Sequence, residues 1–342
     1  MHLSTLQYSY MSSTNITFLT GGVESTRMRI AVVGAGGVGG ALGAALCRAD
    51  QDVWFLARGP HLAAMQDHGL RITGARGDYA LMRVHATDQP RDIGPVSIVL
   101  LAVKLWDLEE LLPTLWPLIA PGTVVVTLQN GIDAHEHVAS TFGAGHVAAG
   151  SCFVNAGISE PGIIIQRTET QRIVAGMLTG VRSAALERFE SACRRAEIDF
   201  VLTPTPIDML WEKFVQLVPI SAMTALLRRP IGAVRDDEES WTLLLRIMEE
   251  AVRVGRATGA NIAQETVDRR LASMRTMPYH AIASMATDLM RGRRLELPWL
   301  SGRISELGRL YNIPTPANDF VCVALKPFAG GERMPLIPAG RD

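Results

Sequence analysis

Glycines spaced as Gly34-x-Gly36-x-x-Gly39, an asparagine, two lysines and a glutamate are the residues through which this chain could do chemistry. In Gly34-Ala35-Gly36-Gly37-Val38-Gly39, the first glycine permits a tight turn and the second lets backbone N–H groups approach a pyrophosphate. The third lets a helix pack closely on a strand. The pattern is weak alone and gains force from its setting. An apolar run at 30–33 leads into it and small residues at 40–46 follow, so a strand, a turn and a helix start present unpaired N–H groups to an anion.

Arg58 lies just past a second apolar run, 52–57, where an acidic residue would hold a ribose 2′-hydroxyl. No acid stands there. Arginine offers a permanently charged, forked partner for a 2′-phosphate, which selects NADP(H) over NAD(H); a solvated surface arginine is the plainer alternative. Lys104 follows the apolar run 96–103, and Asn130 sits in Gln129-Asn130-Gly131 after the run 123–128. Ligands of open α/β sheets sit outside the carboxyl ends of strands, so both residues should face the cofactor. Asn130-Gly131 is also compatible with a simple turn, and Lys104 with a solvated lysine at a helix start.

Lys213 opens the sequence Lys-Phe-Val-Gln-Leu217-Val-Pro-Ile-Ser221, and positions 213, 217, 221 and 225 advance by four along one helical stripe. A lysine at the head of such a stripe, facing a cleft, would be partly desolvated. Its lowered pKa would suit proton donation near neutral pH. A lysine early in a helix is otherwise an exposed charge. Glu296, flanked by Leu295 and Leu297, is either a partner for a helix N-terminus or a buried carboxylate aimed at a substrate.

The elements that must hold these residues fall into two kinds. With 342 residues, the chain has the length of about two domains. Further strands are expected at 147–153, 162–167, 171–175 and 199–202, with helix-like spacing at 106–118 and 182–195. Alternating strands and helices specify an α/β class, a Rossmann-type doubly wound parallel sheet. After the stretch Thr203-Pro-Thr-Pro206 strand patterns vanish, and helical periodicity at 209–227, 240–258, 264–274, 280–290 and 299–311 specifies an all-helical C-terminal domain. The expected division is 28–205 for the Rossmann domain, 206–328 for the helical domain and 329–342 for a loose tail. Residues 1–27, rich in Ser, Thr and Gly, lack a basic region followed by an apolar one. They read as a disordered extension or as sequence upstream of a true start at Met28.

Composition excludes several classes. An apolar content of 48% with 20% charge is ordinary for a globular protein, and a net charge of −1 gives no basic field for nucleic acid. No apolar run nears the ~20 residues of a membrane helix. The four cysteines form no CxxC or Cys/His spacing, which fits reduced thiols in a cytoplasmic protein rather than disulfides or a metal site. A homodimer is left open.

Taken in order, the glycine motif, Lys104, Asn130-Gly131, Trp211-x-Lys213, Ser284-Met-x-x-Asp288 and Glu296-x-x-x-x-x-Gly302 resemble the ketopantoate reductase (2-dehydropantoate 2-reductase) family over residues 28–324. The resemblance implies NADPH-dependent reduction of a 2-oxo acid, ketopantoate or a close analogue, in a cleft between the two domains. It implies Lys213 as general acid, with Glu296 binding the substrate's distal hydroxyl or supporting Lys213. Asn130, Lys104 and Ser284 would orient substrate and nicotinamide. Where the family reads Lys-x-x-x-Asn-x-x-x-Asn, this chain has Leu217 and Ser221, with Pro219 expected to kink the helix between them. Losing two substrate-binding amides implies a changed preference, toward a more apolar 2-oxo acid. Two alternatives remain: a related two-domain dehydrogenase of another hydroxy acid, and an NADP(H)-binding sensor without turnover. Retention of Lys213 and Glu296 argues against the sensor.

Overall fold

The structure is a computed structural model that describes residues 27–331. The expectations for the first 26 residues and for 332–342 lie outside the described residues. Ten strands form the sheet: β1 (Arg29–Val33), β2 (Asp52–Leu56), β3 (Leu70–Gly74), β4 (Tyr79–Leu81), β5 (His85–Thr87), β6 (Ile98–Leu101), β7 (Val124–Thr127), β8 (Val147–Glu160), β9 (Ile163–Met177) and β10 (Asp199–Leu202). Their order is β4-β3-β9-β8-β7-β6-β1-β2-β5, with β10 also paired to β9. β6 and β7 are buried at every position, as continuous apolar runs covered on both faces must be. One face is covered by helices Gly37–Arg48 and Ala184–Arg195, the other by Ala134–Phe142 and the segment between β6 and β7. The sheet is thus wound on both sides.

Two features extend the expected class. The sheet is parallel except for the pairs β3–β4 and β8–β9, and β8–β9 is a long antiparallel ribbon with irregular register near Val154 and Ile158. Beyond the first irregularity the ribbon passes over the start of the Gly37–Arg48 helix, which packs against both β8 and β9. The stretches 162–167 and 171–175 are therefore parts of one strand, β9. Residues 106–118 do not make one helix: 3₁₀ turns at Leu105–Asp107 and Leu112–Leu118 flank a single α turn at Leu108–Leu111. Pro113 and Pro117 remove the donors that a continuous α-helix would need there.

From Pro206 onward the elements are helical and share one apolar core around Trp211, Phe214, Ile247, Met248, Ile304 and Val321. The Pro206–Leu227 helix runs unbroken through Pro219. Ala329 is held in place, its carbonyl accepting from the Leu295 N–H at 3.0 Å. No described helix is long and apolar enough to cross a membrane.

Candidate active site

The glycine turn occupies the carboxyl end of β1 and opens a cleft of about 1130 Å³. Gly34 takes φ +95°, and a Cβ there would press on Val103, so the tight turn requires glycine. At Gly36 a Cβ would meet nothing within 4 Å. At Gly39 it would strike the Gly34 carbonyl oxygen. The three glycines thus serve a turn, an open approach and a close packing. Gly34, Ala35, Gly36, Gly37 and Val38 line the cleft. Gly39 is not among its lining residues and acts through packing alone. The Gly37–Arg48 helix has no side-chain cap and no acid in its first turn, so its N-terminal dipole faces the cleft uncompensated. These residues fit the phosphates of a dinucleotide.

Arg58 lies at the cleft edge with 84% of its side chain exposed, and its Nη2 meets Asp107 Oδ1 at 3.2 Å. Lys104 and Asn130 line the same cleft, and the buried Gln129 donates to the Leu101 and Val103 carbonyls at 2.9 and 3.2 Å. That side chain ties the end of β7 to the end of β6. Gly131 follows with φ +106°, and a Cβ there would approach Leu105 at 3.1 Å.

The helical half supplies the opposing groups. Glu296, 3% exposed, places Oε2 3.0 Å from Lys104 Nζ, a charge contact rather than an aligned hydrogen bond. Its carboxylate caps no helix, and it joins the two halves instead. Asp288 Oδ2 stands 3.9 Å from the same ammonium, and burial raises the Asp288 pKa against the pull of Lys104. Lys213 Nζ donates to Asn130 Oδ1 at 3.2 Å and to the Cys152 carbonyl at 2.8 Å, and lies 5.1 Å from the centre of the Phe153 ring. Burial lowers the Lys213 pKa; Cys152 and Glu296 oppose that shift and Arg270 adds to it. The Cys152 thiol, buried on the same strand, is pushed up to about 12 and stays protonated at neutral pH.

The structure therefore brings Lys104, Asn130, Lys213 and Glu296 together, and Ser284 lines the same cleft. Lys213 and Glu296 stand just behind the lining, reaching it through Asn130, Cys152 and Lys104. Leu217 and Ser221, further along the same helix, are likewise not among the lining residues. Leu217 packs against the helical core, and Ser221 is 1% exposed within that helix. Four residues turn an α-helix through about 400°, so a stripe stepping by four drifts away from the cleft at each step.

Sequence reasoning missed the contribution of β8. Cys152 offers a backbone carbonyl, for which no sequence signal exists, while Val154, Asn155, Ala156 and Gly157 line the cleft. It also missed the links across the seam: Arg303 Nε lies 2.7 Å from Asp133 Oδ1, and Trp106 and Trp299 rings sit 5.8 Å apart. Among the described residues no cluster of His, Cys, Asp and Glu could hold a metal.

Comparison with known proteins bears on the family and the fold. The family model described as ketopantoate reductase PanE/ApbA matches residues 30–180, and the model of that family's C-terminal part matches 207–329. A 2-dehydropantoate 2-reductase of Caulobacter vibrioides is 30% identical over 86% of this chain and 97% of its own length. One of Mesorhizobium japonicum is 28% identical over 88% and 98%. The crystal structure of 2-dehydropantoate 2-reductase from Geobacter metallireducens superposes with a TM-score of 0.81 at 30% identity, covering 88% of this chain and 99% of the other.

Proposed function

The chain belongs to the ketopantoate reductase family of oxidoreductases, and from that premise we propose that it reduces a 2-oxo acid to the 2-hydroxy acid with NADPH. The observation that carries this reading is Lys213 Nζ, held just behind the cleft lining by Asn130 and the Cys152 carbonyl, with its pKa lowered by burial. The dinucleotide, when bound, supplies hydride to C2 of the substrate. Negative charge then develops on the carbonyl oxygen. An ammonium already aimed there stabilises that charge more than the ground state and gives up its proton to it. Burial lowers the cost of that transfer by making Lys213 the stronger acid.

The remaining residues orient the reactants. Asn130 holds Lys213 now and would share its amide with substrate. Lys104, the cation at the end of β6, would attract the substrate carboxylate, while Glu296 holds that cation across the seam. Ser284 adds a hydroxyl from the facing wall. Arg58 supports NADPH over NADH, since its Asp107 partner is an exposed pair that a 2′-phosphate can displace.

Ketopantoate or a close, more apolar 2-oxo acid is the substrate proposed. Leu217 favours the apolar analogue, because it offers no hydrogen bond where the family binds substrate through an amide. The test is NADPH oxidation followed by absorbance with a panel of 2-oxo acids, ketopantoate and straight-chain and branched apolar analogues included. Turnover with at least one supports the reading; tight NADPH binding with turnover on none would replace it with a cofactor-binding sensor.

A further inference from the structure

The glycine turn has a cation beside it that no motif announces. The β8–β9 ribbon crosses the start of the Gly37–Arg48 helix so closely that a Cβ on Gly37 would strike the Ala156 carbonyl oxygen. The next residue on β8 is Gly157. Across the ribbon, Arg167 of β9 lays its guanidinium against Gly157: a Cβ there would sit 3.2 and 3.3 Å from the two terminal nitrogens. Gly157 and Arg167 line the cleft with Gly34, Gly36 and Val38. The guanidinium therefore stands two contacts from the helix N-terminus, on the same wall.

Its charge is also uncompensated. Arg58, Lys104 and Arg293, cations of the same cleft, each face a carboxylate, at 3.2, 3.0 and 3.8 Å. Among the described residues no carboxylate pairs with Arg167. Arg291, on the opposite, helical wall, has Asp288 near enough to lower the pKa of that carboxyl. Packing a permanently charged side chain beside the positive end of a helix is unfavourable until an anion joins them.

We propose that Arg167 binds the pyrophosphate of the dinucleotide, closing the phosphate site from the β8–β9 ribbon. This rests on the reading that the cleft takes a nicotinamide dinucleotide. The uncapped N–H groups of the helix start approach the two phosphates from one side, and the planar fork of Arg167 reaches them from the other, with donors spaced for two oxygens at once. Gly157 leaves the guanidinium its resting place. Arg58 serves a different group, since it follows β2, beyond β1 from the ribbon in the sheet order.

The experiment is a fluorescence titration of the full chain with NADPH and with NADH, in wild type, Arg167→Gln and Arg58→Gln, with circular dichroism as the check on folding. Competition by ADP-ribose and by adenosine 2′-monophosphate completes it. Arg167→Gln should weaken NADPH, NADH and ADP-ribose alike, by about tenfold or more. It should leave adenosine 2′-monophosphate, which lacks a pyrophosphate, unchanged. Arg58→Gln should weaken NADPH and adenosine 2′-monophosphate and spare NADH. Gly157→Ala, which displaces the guanidinium without removing it, should give an intermediate loss for both dinucleotides. Unaltered binding in Arg167→Gln, or a loss confined to NADPH, overturns the pyrophosphate assignment while the dinucleotide reading stands. If the wild type binds neither dinucleotide, that reading fails and this assignment with it.

Discussion

Lys213 and Asn130 meet across the seam between the sheet and the helical half, Nζ donating to Oδ1 at 3.2 Å. The bond makes the Lys213 ammonium part of both halves at once. Replacing Lys213 by Ala should lower kcat by about 10²–10⁴-fold, the usual contribution of a positioned acid. NADPH affinity should stay within a factor of about two, because the glycine turn is untouched. A steady-state kcat and a fluorescence Kd measure the two effects separately, and an unchanged kcat removes Lys213 from the mechanism.

The pH dependence has a definite sign. Burial lowers the Lys213 pKa below its ordinary 10.5, and the reduction needs the protonated form. The kcat/KM for reduction should therefore fall as pH rises through that lowered value, and the alkaline limb should vanish from the residual activity of Lys213→Ala. Stability moves the other way. Between the lowered pKa and 10.5 the folded chain has lost the proton that the unfolded chain still holds, so the contribution of this lysine to stability grows with pH in that window. A urea-denaturation series across alkaline pH, compared with Lys213→Ala, reads it.

Leu217 and Ser221 should respond differently to asparagine. Leu217 is partly buried, one turn beyond Lys213, and Leu217→Asn should shift the ratio of kcat/KM toward ketopantoate and away from apolar 2-oxo acids. Ser221 is enclosed by helical core, so Ser221→Asn should cost about 1–3 kcal/mol of stability by overpacking and leave the preference as it was. A gain on ketopantoate in Ser221→Asn alone would refute the placement.

The Asp133–Arg303 pair should act on the reaction without touching substrate. Asp133 lies three residues past Asn130, and Arg303 stands on the helix Ser301–Leu310, seven residues past Glu296. Their 2.7 Å contact, 8% and 22% exposed, fixes those two site residues relative to each other. Arg303→Ala leaves a mostly buried carboxylate unpaired and should cost about 3–5 kcal/mol of stability. Arg303→Lys should recover most of the stability but not the geometry, lowering kcat while cofactor affinity holds. Equal recovery of kcat and stability would make the pair merely structural.

Gly36 and Gly37 are adjacent and should fail in opposite ways. A Cβ on Gly36 faces open cleft, so Gly36→Val should fold with an unchanged melting temperature and lose cofactor affinity. A Cβ on Gly37 meets β8 backbone, so Gly37→Val should unfold or separate the ribbon from the helix. Thermal melts alongside cofactor titrations distinguish them; a stable, cofactor-binding Gly37→Val would contradict the close packing.

Much of the sheet was legible because β1, β2, β6 and β7 are apolar on both faces and end in residues that only a cleft explains. The strands β3, β4 and β5 were not, since β4 and β5 have three residues each and β3 has only Leu70 and Ile72 buried rather than a continuous apolar run. The ribbon β8–β9 was read in fragments. Its middle holds exposed Arg167-Thr-Glu-Thr, and the register with β8 jumps there from Gln166 to Gln171, so neither an apolar pattern nor regular pairing marks that stretch as strand. The helix Pro316–Leu325 escaped notice because its start is fixed from far away in the chain, where Glu250 accepts from the Ala317 and Asn318 N–H groups. At the site, Lys104 and Asn130 followed from strand ends. Lys213 and Glu296 stood out only through family resemblance, because the partners that define them are far away in the chain.

Each working contact, Lys104 with Glu296, Asn130 with Lys213 and Asp133 with Arg303, takes one member from before the Thr203–Pro206 connection and one from after it. The proposed reduction consequently requires assembly of both portions, since neither alone holds the full set of groups assigned to it. Evolution can retune the helical portion for a new metabolite only while keeping three registration points intact. That constraint leaves positions such as Leu217, one helical turn from Lys213 yet outside every registration point, open to change without loosening the seam.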